Sequence, residues 1–194
     1  MSGSLLDLKK YIETTVDISD EDWQLFSSLL EKRVFAKKVT FLRVGQVENY
    51  ISFIEKGKVR LFIPKEDEEK EITFGFCFQG EFVSAYDSFL RQNPALYQLE
   101  TLSETTLWSI SYNDLQKVYK NTVVGNTMGR FIAEKLFLLK SKREQSLLND
   151  TSEQRYLNVF KDRPNLFEQV PLKYIASYIG VTPQALSRIR KRIS

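Results

Sequence analysis

The stretch at residues 171–193, PLKYIASYIGVTPQALSRIRKRI, constrains this chain more than any other. Ile175, Ala176 and Ile179 fall on one face of a short helix. Gly180 suits the left-handed backbone of a sharp helix stop, and Val181 fills the corner. Thr182 is a good cap for a second helix, with Pro183 in the first helical position, where its missing N–H costs nothing. Leu186 and Ile189 then point inward at i, i+3, while Gln184, Ser187, Arg188, Lys191 and Arg192 point out. The spacing predicts a helix-turn-helix whose second helix fits a DNA major groove. The competing reading is an αα-hairpin with a solvated basic face.

Charge placement agrees with the first reading. Residues 151–194 hold eight Lys/Arg against three Asp/Glu, a net of +5, whereas the other 150 residues hold 20 against 22. A basic C-terminal module on a slightly acidic body meets nucleic acid at one end. Histidine is absent, which removes His-based acid–base chemistry, Ser-His and Cys-His nucleophiles and most zinc or haem ligation. A lone Cys77 gives neither an intrachain disulfide nor an iron–sulfur site, and among Phe74, Phe76 and Phe78 it reads as a small buried hydrophobe. The chain is therefore expected to be no enzyme, with no metal, haem or iron–sulfur cofactor. A cupin-like enzyme would want histidine ligands. With 42% hydrophobic and 27% charged residues it suits a well-cored protein, and no apolar run nears the roughly 20 residues of a membrane span. The N-terminal residues 1–15 mix charges into their apolar pattern, so neither signal nor transit peptide is expected and a cytoplasmic location is.

Upstream, residues 5–15 and a helix capped by Ser19 open the chain. Short β-branched or aromatic runs follow at 34–38, 39–44, 50–55, 58–63, 71–78 and 99–110, separated by turn signals that include Gly45-Gln46, Lys56-Gly57 and Gln79-Gly80. They predict an antiparallel barrel or roll. Residues 112–120 return to helix, and 123–148 read as one long helix whose apolar positions are too many for a single contact face. Such a helix serves its own domain and a second subunit. Gly125 and Gly129 would let it approach a neighbour closely. Residues 149–152 form a hinge with caps for a helix near 153–161.

This order of parts resembles the cyclic-AMP receptor protein/FNR (Crp/Fnr) family of bacterial transcription regulators. The passages IASYIGVTPQALSRIRK and ETTLWSISYNDL carry the likeness best, with IEKGKVRLF and FQGEF in support. It implies an α+β chain: an effector-binding, cyclic-nucleotide-binding-like β-roll at 1–121, a long dimerisation helix at 122–149, and a small all-α helix-turn-helix domain at 150–194 with its wing reduced to about 165–170. The strands that flank the recognition helix elsewhere in the family are expected to be missing after Ser194. The implied partners are double-stranded DNA, a second copy, RNA polymerase and a small effector, with no membrane. Arg188 matches the family's guanine-reading arginine, and Gln184 stands where its glutamate does. Ser187 adds a base or phosphate contact, and Thr182, Lys173, Arg190, Lys191 and Arg192 are placed as backbone-positioning residues.

For the effector, the resemblance points to Gly80, Glu81 and Phe82 at the start of the phosphate-binding cassette, Arg91 within it, and Lys140 and Ser141 on the long helix. Members that hold cyclic nucleotides carry an Arg-Ser or Arg-Thr pair in this cassette. Here counting forward reaches Arg91-Gln92, and counting back from the next strand reaches 95–97, Ala-Leu-Tyr. Both registers stand open. A buried phosphate without a cation costs several kcal/mol or more, so any effector is expected not to be cyclic AMP bound in the usual way. Phe74, Phe76, Phe82, Tyr86 and Phe89 would line an apolar pocket or fill the core. An effector-independent regulator, and a ligand-sensing or dimerisation module without specific DNA binding, remain alternatives.

Overall fold

The computed structural model describes residues 3–193, so residues 1, 2 and 194 at the ends of the expected domains lie outside it. Two helices, α1 (Gly3–Glu13) and α2 (Asp20–Ser28), precede the strands, and Ser19 caps α2 by accepting from the Asp22 N–H at 3.1 Å. Among the described residues eight strands follow: β1 (Glu31–Phe35), β2 (Thr40–Leu42), β3 (Tyr50–Lys56), β4 (Lys58–Ile63), β5 (Ile72–Phe78), β6 (Phe82–Val83), β7 (Gln98–Thr101) and β8 (Thr105–Ser111). Helix α3 (Tyr86–Arg91) lies between β6 and β7. The chain ends in α4 (Tyr112–Asn121), α5 (Gly125–Asn149), α6 (Ser152–Asp162), α7 (Leu166–Gln169), α8 (Leu172–Ile179) and α9 (Pro183–Ile193).

The strands form two four-stranded sheets, ordered β1-β8-β3-β6 and β2-β7-β4-β5. Their alternation between sheets is the mark of an antiparallel roll. Central strand β3 is buried on both faces: Ile51 and Phe53 join the apolar core, and the Ser52 hydroxyl pairs with that of Ser109 at 2.7 Å. The tight β3–β4 turn requires glycine. Gly57 has φ +107°, and a Cβ there would lie 2.5 Å from the Thr105 hydroxyl.

Three expected strands shift. The run at 34–38 begins earlier, as β1, and gives way at 36–39 to a turn with Lys38 at φ 63°. The run at 39–44 shrinks to β2. The run at 99–110 breaks into β7 and β8, because residues 102–104 bend away between them. The expected wing at 165–170 is helical instead: α7 occupies it, with Leu166 and Val170 buried. Cys77 is half-buried rather than a core residue.

By compactness the chain forms one unit of 1–61 and 76–135 and another of 62–75 and 136–194. Helix α5 thus changes unit at 135/136, and the tip of the β4–β5 hairpin belongs with the C-terminal helices. The first unit's core gathers Leu8, Ile12, Trp23, Phe26, Phe53, Phe89, Ile110, Leu115, Val118 and Met128. Close approach of α5 to α4 needs Gly125, where a Cβ would sit 2.7 Å from the Val118 carbonyl; at Gly129 a Cβ would sit 2.7 Å from the Tyr119 hydroxyl, so that ring end would have to move. In the second unit the buried apolar side chains are Phe62, Tyr156, Leu166, Val170, Ile175, Ala176, Ile179, Leu186 and Ile189. No helix among the described residues is long and apolar enough to cross a membrane.

Candidate nucleic-acid interface and effector roll

The corner between α8 and α9 is built as its residues dictate. Gly180 takes φ 73°, ψ 38°, its N–H bonds back into α8, and the Val181 N–H reaches the Ala176 carbonyl at 2.9 Å. A Cβ on Gly180 would meet nothing closer than Leu147 Cδ2 at 3.6 Å, so glycine is needed for its backbone angle rather than for space. The Thr182 hydroxyl accepts from the Ala185 N–H at 3.2 Å and caps α9. Leu186 and Ile189 are 1% and 3% exposed, which pins the opposite face of α9 toward solvent.

All eight residues assigned to DNA are exposed: Lys173 on α8, Thr182 at the cap, and Gln184, Ser187, Arg188, Arg190, Lys191 and Arg192 on α9. Arg188, Lys191 and Arg192 line a groove of about 430 Å³ with Ser152, Ala185 and Ile189. Arg192 also pairs with Glu153 at 3.0 Å. Lys173 lies 4.0 Å from Glu68, both side chains half exposed or more.

Two further arginines position this corner and were missed in the sequence. Arg155 donates from Nε to the Ile179 carbonyl and from Nη1 to the Asp150 carbonyl, both at 2.7 Å. Arg143 donates to the Tyr178 carbonyl at 3.1 Å and lies over the Tyr178 ring at 4.8 Å; burial holds its pKa below the ordinary guanidinium value. Both serve the last carbonyls of α8, which a helix end always leaves without partners. That need was the signal available, since any helix stopped by Gly180 leaves such carbonyls to be met. With Asp150, Asn158, Asp162 and Tyr178, the two arginines line a cavity of about 560 Å³ whose polar groups are largely paired with one another, as in Asn158–Asp150 at 2.9 Å and Lys142–Asp162 at 2.6 Å.

In the roll, Gly80 turns at φ +84° and its N–H donates to the Ile54 carbonyl. The Glu81 carboxylate accepts from the Phe78 N–H at 3.0 Å, closing the same turn. Phe82 packs on Tyr11 and Phe53, with ring centroids 5.5 and 5.4 Å away. Arg91 ends α3 and is exposed; Gln92 follows at φ 52°. Where the other register put the phosphate-binding arginine, Ala95 is 1% exposed and hydrogen-bonded through its backbone to Gln46, and the Tyr97 hydroxyl donates to Asp87 at 2.6 Å. Burial and Asp87 push the Tyr97 phenol far above its ordinary range. Lys140 and Ser141 belong to the second unit, where Lys140 stands 4.8 Å from the Phe74 ring and Ser141 accepts from Gln145 at 3.1 Å.

The expected aromatic pocket is mostly core. Phe76 and Phe89 are 5% and 1% exposed, and Phe82 and Tyr86 border a void of only about 30 Å³, enough for one water. An unforeseen buried carboxylate, Glu48, accepts from the Tyr50 N–H at 3.0 Å and the Ala85 N–H at 3.4 Å. Burial holds its pKa above the usual carboxylate range despite these bonds.

Residues 32–122 match the cyclic nucleotide-binding domain family. The CRP-like protein Clp of Xanthomonas campestris and that of Xanthomonas oryzae are 25% identical over 92 residues, 47% of this chain and 40% of the relative. The match therefore spans less than half the length of these curated relatives. Among solved structures, the c-di-GMP-responsive global regulator CLP of Xanthomonas campestris superposes with a TM-score of 0.70 at 18% identity, covering 90% of this chain and 91% of that one. FixK2 from Bradyrhizobium japonicum gives 0.73 at 13%, covering 84% of each chain. A putative transcriptional regulator of the crp/fnr family from Eubacterium rectale gives 0.67 at 15%, covering 91% and 83%. At these identities the superpositions establish the fold.

Proposed function

We propose that the chain, whose residues 32–122 match a cyclic nucleotide-binding domain and whose fold superposes on Crp/Fnr-type regulators, is a homodimeric transcription regulator of that type reading an inverted-repeat operator through α9. The observation that carries this reading is the outward face of α9. Gln184, Ser187 and Arg188 stand exposed on the side opposite Leu186 and Ile189, beside a groove lined by three cations. Arg188 then reads guanine through a bidentate contact and Gln184 reads adenine, while Lys191, Arg192, Thr182 and Lys173 hold phosphates.

The second copy is proposed to sit along α5. Phe137, Leu138 and Leu148 are 69%, 67% and 78% exposed, a load of apolar surface that water-facing helices rarely carry. Two-fold symmetry would place two recognition helices about 34 Å apart on one face of the duplex. RNA polymerase is the further partner such a regulator would meet.

The effector is proposed to be a small molecule held otherwise than cyclic AMP is, because the cassette offers an exposed Arg91 in one register and Ala95 to Tyr97 in the other. Gly80, Glu81 and Phe82 then shape the turn, and Arg91, exposed at the end of α3, is the cation proposed to meet the ligand. The void of about 30 Å³ beside Phe82 and Tyr86 favours a second reading, a regulator with no effector. Thermal melting with a panel including cyclic mono- and dinucleotides separates the two, since ligand at 100 times its Kd adds about 2.7 kcal/mol.

Selection of bound sequences from a random duplex pool tests the main reading. An enriched inverted repeat is expected. Enrichment without symmetry removes the dimer, and no enrichment at all removes specific DNA binding.

A further inference from the structure

We propose that the tip of the β4–β5 hairpin is an intramolecular brake on DNA binding, an acidic segment fastened to α8 by Ser177. The proposal rests on the DNA-binding reading above and adds its regulation. Residues 65–71 read KEDEEKE, five acidic side chains against two lysines. This tip lies within the same compact unit as α8 and α9.

The fastening follows from strand chemistry. β5 is the edge of its sheet, and an edge strand presents N–H and C=O groups with no neighbouring strand to meet them. The Ser177 hydroxyl accepts from the Thr73 N–H at 2.9 Å and donates to the Glu71 carbonyl. One side chain of α8 thus bonds two edge groups two residues apart, as a neighbouring strand would. Thr73 is wholly buried, and both bonds are partly buried. The Lys140 ammonium over the Phe74 ring adds a second tie at 4.8 Å.

The charge conflict follows from where this fastening puts the tip. Lys173 stands one turn before Ser177 on α8, the helix that crosses the phosphate backbone in a docked helix-turn-helix. Its ammonium faces Glu68 at 4.0 Å. Both groups are exposed, so the pair itself adds little stability. Its importance is electrostatic. The Glu68 carboxylate at Lys173 occupies the field that a DNA phosphate would enter, and it repels that phosphate at the same spot. DNA must displace the tip or bind against its charge.

The experiment uses the full-length chain, a duplex of random sequence and fluorescence anisotropy over a range of salt. The variants are Glu66→Gln/Asp67→Asn/Glu68→Gln, all three exposed positions, and Ser177→Ala. At about 50 mM salt the triple variant is expected to bind about fivefold tighter than wild type, with the gain shrinking below about twofold at 300 mM as screening removes it. Ser177→Ala is expected to bind tighter at both salt concentrations, and without DNA its Thr73 amide should exchange with solvent faster. Wild type that binds duplex while the triple variant binds equally or more weakly would overturn the brake. Unchanged Thr73 exchange in Ser177→Ala would overturn the fastening. Wild type that binds no duplex even at low salt would instead remove the DNA-binding reading, with the Thr73 exchange still testing the contact by itself.

Discussion

The roll and the C-terminal helices spend their polar side chains in opposite ways. In the roll, Glu48, Ser52, Ser88, Thr101 and Ser109 are buried, and each meets a backbone or hydroxyl partner. Residues that the family resemblance assigned to an effector are used likewise: Glu81 closes a turn and Phe82 packs in the core. On α9 the apolar side chains turn in and the polar ones stay out, with Gln184, Ser187, Arg188 and Lys191 exposed. A buried polar group already bonded within the protein has little capacity left for a ligand. An exposed row of donors on a rigid helix keeps its capacity. The difference teaches that the roll's polar residues serve stability, while Gln184, Ser187, Arg188 and Lys191 on α9 face solvent, as the proposed binding requires.

The sharpest way to break this contrast is to remove a side chain from each region and measure both properties. Glu48→Ala leaves the buried Ala85 N–H and the partly buried Tyr50 N–H without an acceptor, at up to about 1–3 kcal/mol each. The expected loss is about 2–4 kcal/mol in urea unfolding, with DNA affinity of the folded protein unchanged. Next in size is Arg188→Ala, expected to cost about 1–3 kcal/mol on the selected site and to relax preference at one base position. Its effect on unfolding should stay within about 0.5 kcal/mol, as for other exposed positions. Equal loss of affinity on selected and random DNA would show that Arg188 reads no base.

Lys191→Ala sharpens the same contrast within α9. It should weaken binding to all sequences alike and reduce the slope of log affinity against log salt by about one unit, measured by anisotropy titrations at several salt concentrations. A sequence-dependent loss would move Lys191 from phosphate holding to base reading.

The two regions also differed in how far the sequence revealed them. The α8–α9 corner was legible nearly residue by residue because each part has a local cause: Gly180 for the left-handed stop, Thr182 for the cap, Leu186 and Ile189 for the inward face. Local rules also found the Ser19 cap and the two close-approach glycines of α5. Long-range partners were not legible. Nothing near Ser177 in the chain points to Thr73, 104 positions away, and nothing near Arg155 points to Ile179. Glu48 escaped for the same reason, since the Ser88 and Ala85 groups it meets come from beyond β6. The supposed wing at 165–170 failed because a short run without strand partners took the cheaper helical turn of α7.

The smallest expected effect is a difference of sign between two carboxylates of the roll. Burial raises the pKa of Glu48, whereas the Lys117 ammonium and the Ser111 hydroxyl lower that of Asp114. A raised folded-state pKa favours folding below the unfolded carboxylate range, and that advantage is lost as pH rises through the folded value. A lowered one favours folding above the range, and that advantage is lost as pH falls through the folded value. Urea midpoints from pH 3 to 7 should therefore drift in opposite directions when wild type is compared with Glu48→Gln and with Asp114→Asn. Against Glu48→Gln the wild type should lose ground as pH rises. Against Asp114→Asn it should gain, by about 0.5 kcal/mol or less, because Asp114 is partly exposed and salt screens its partner at 2.6 Å. Two gaps of the same sign would mean that the Tyr50 and Ala85 N–H groups outweigh burial at Glu48, so that the folded roll favours its carboxylate over its acid form.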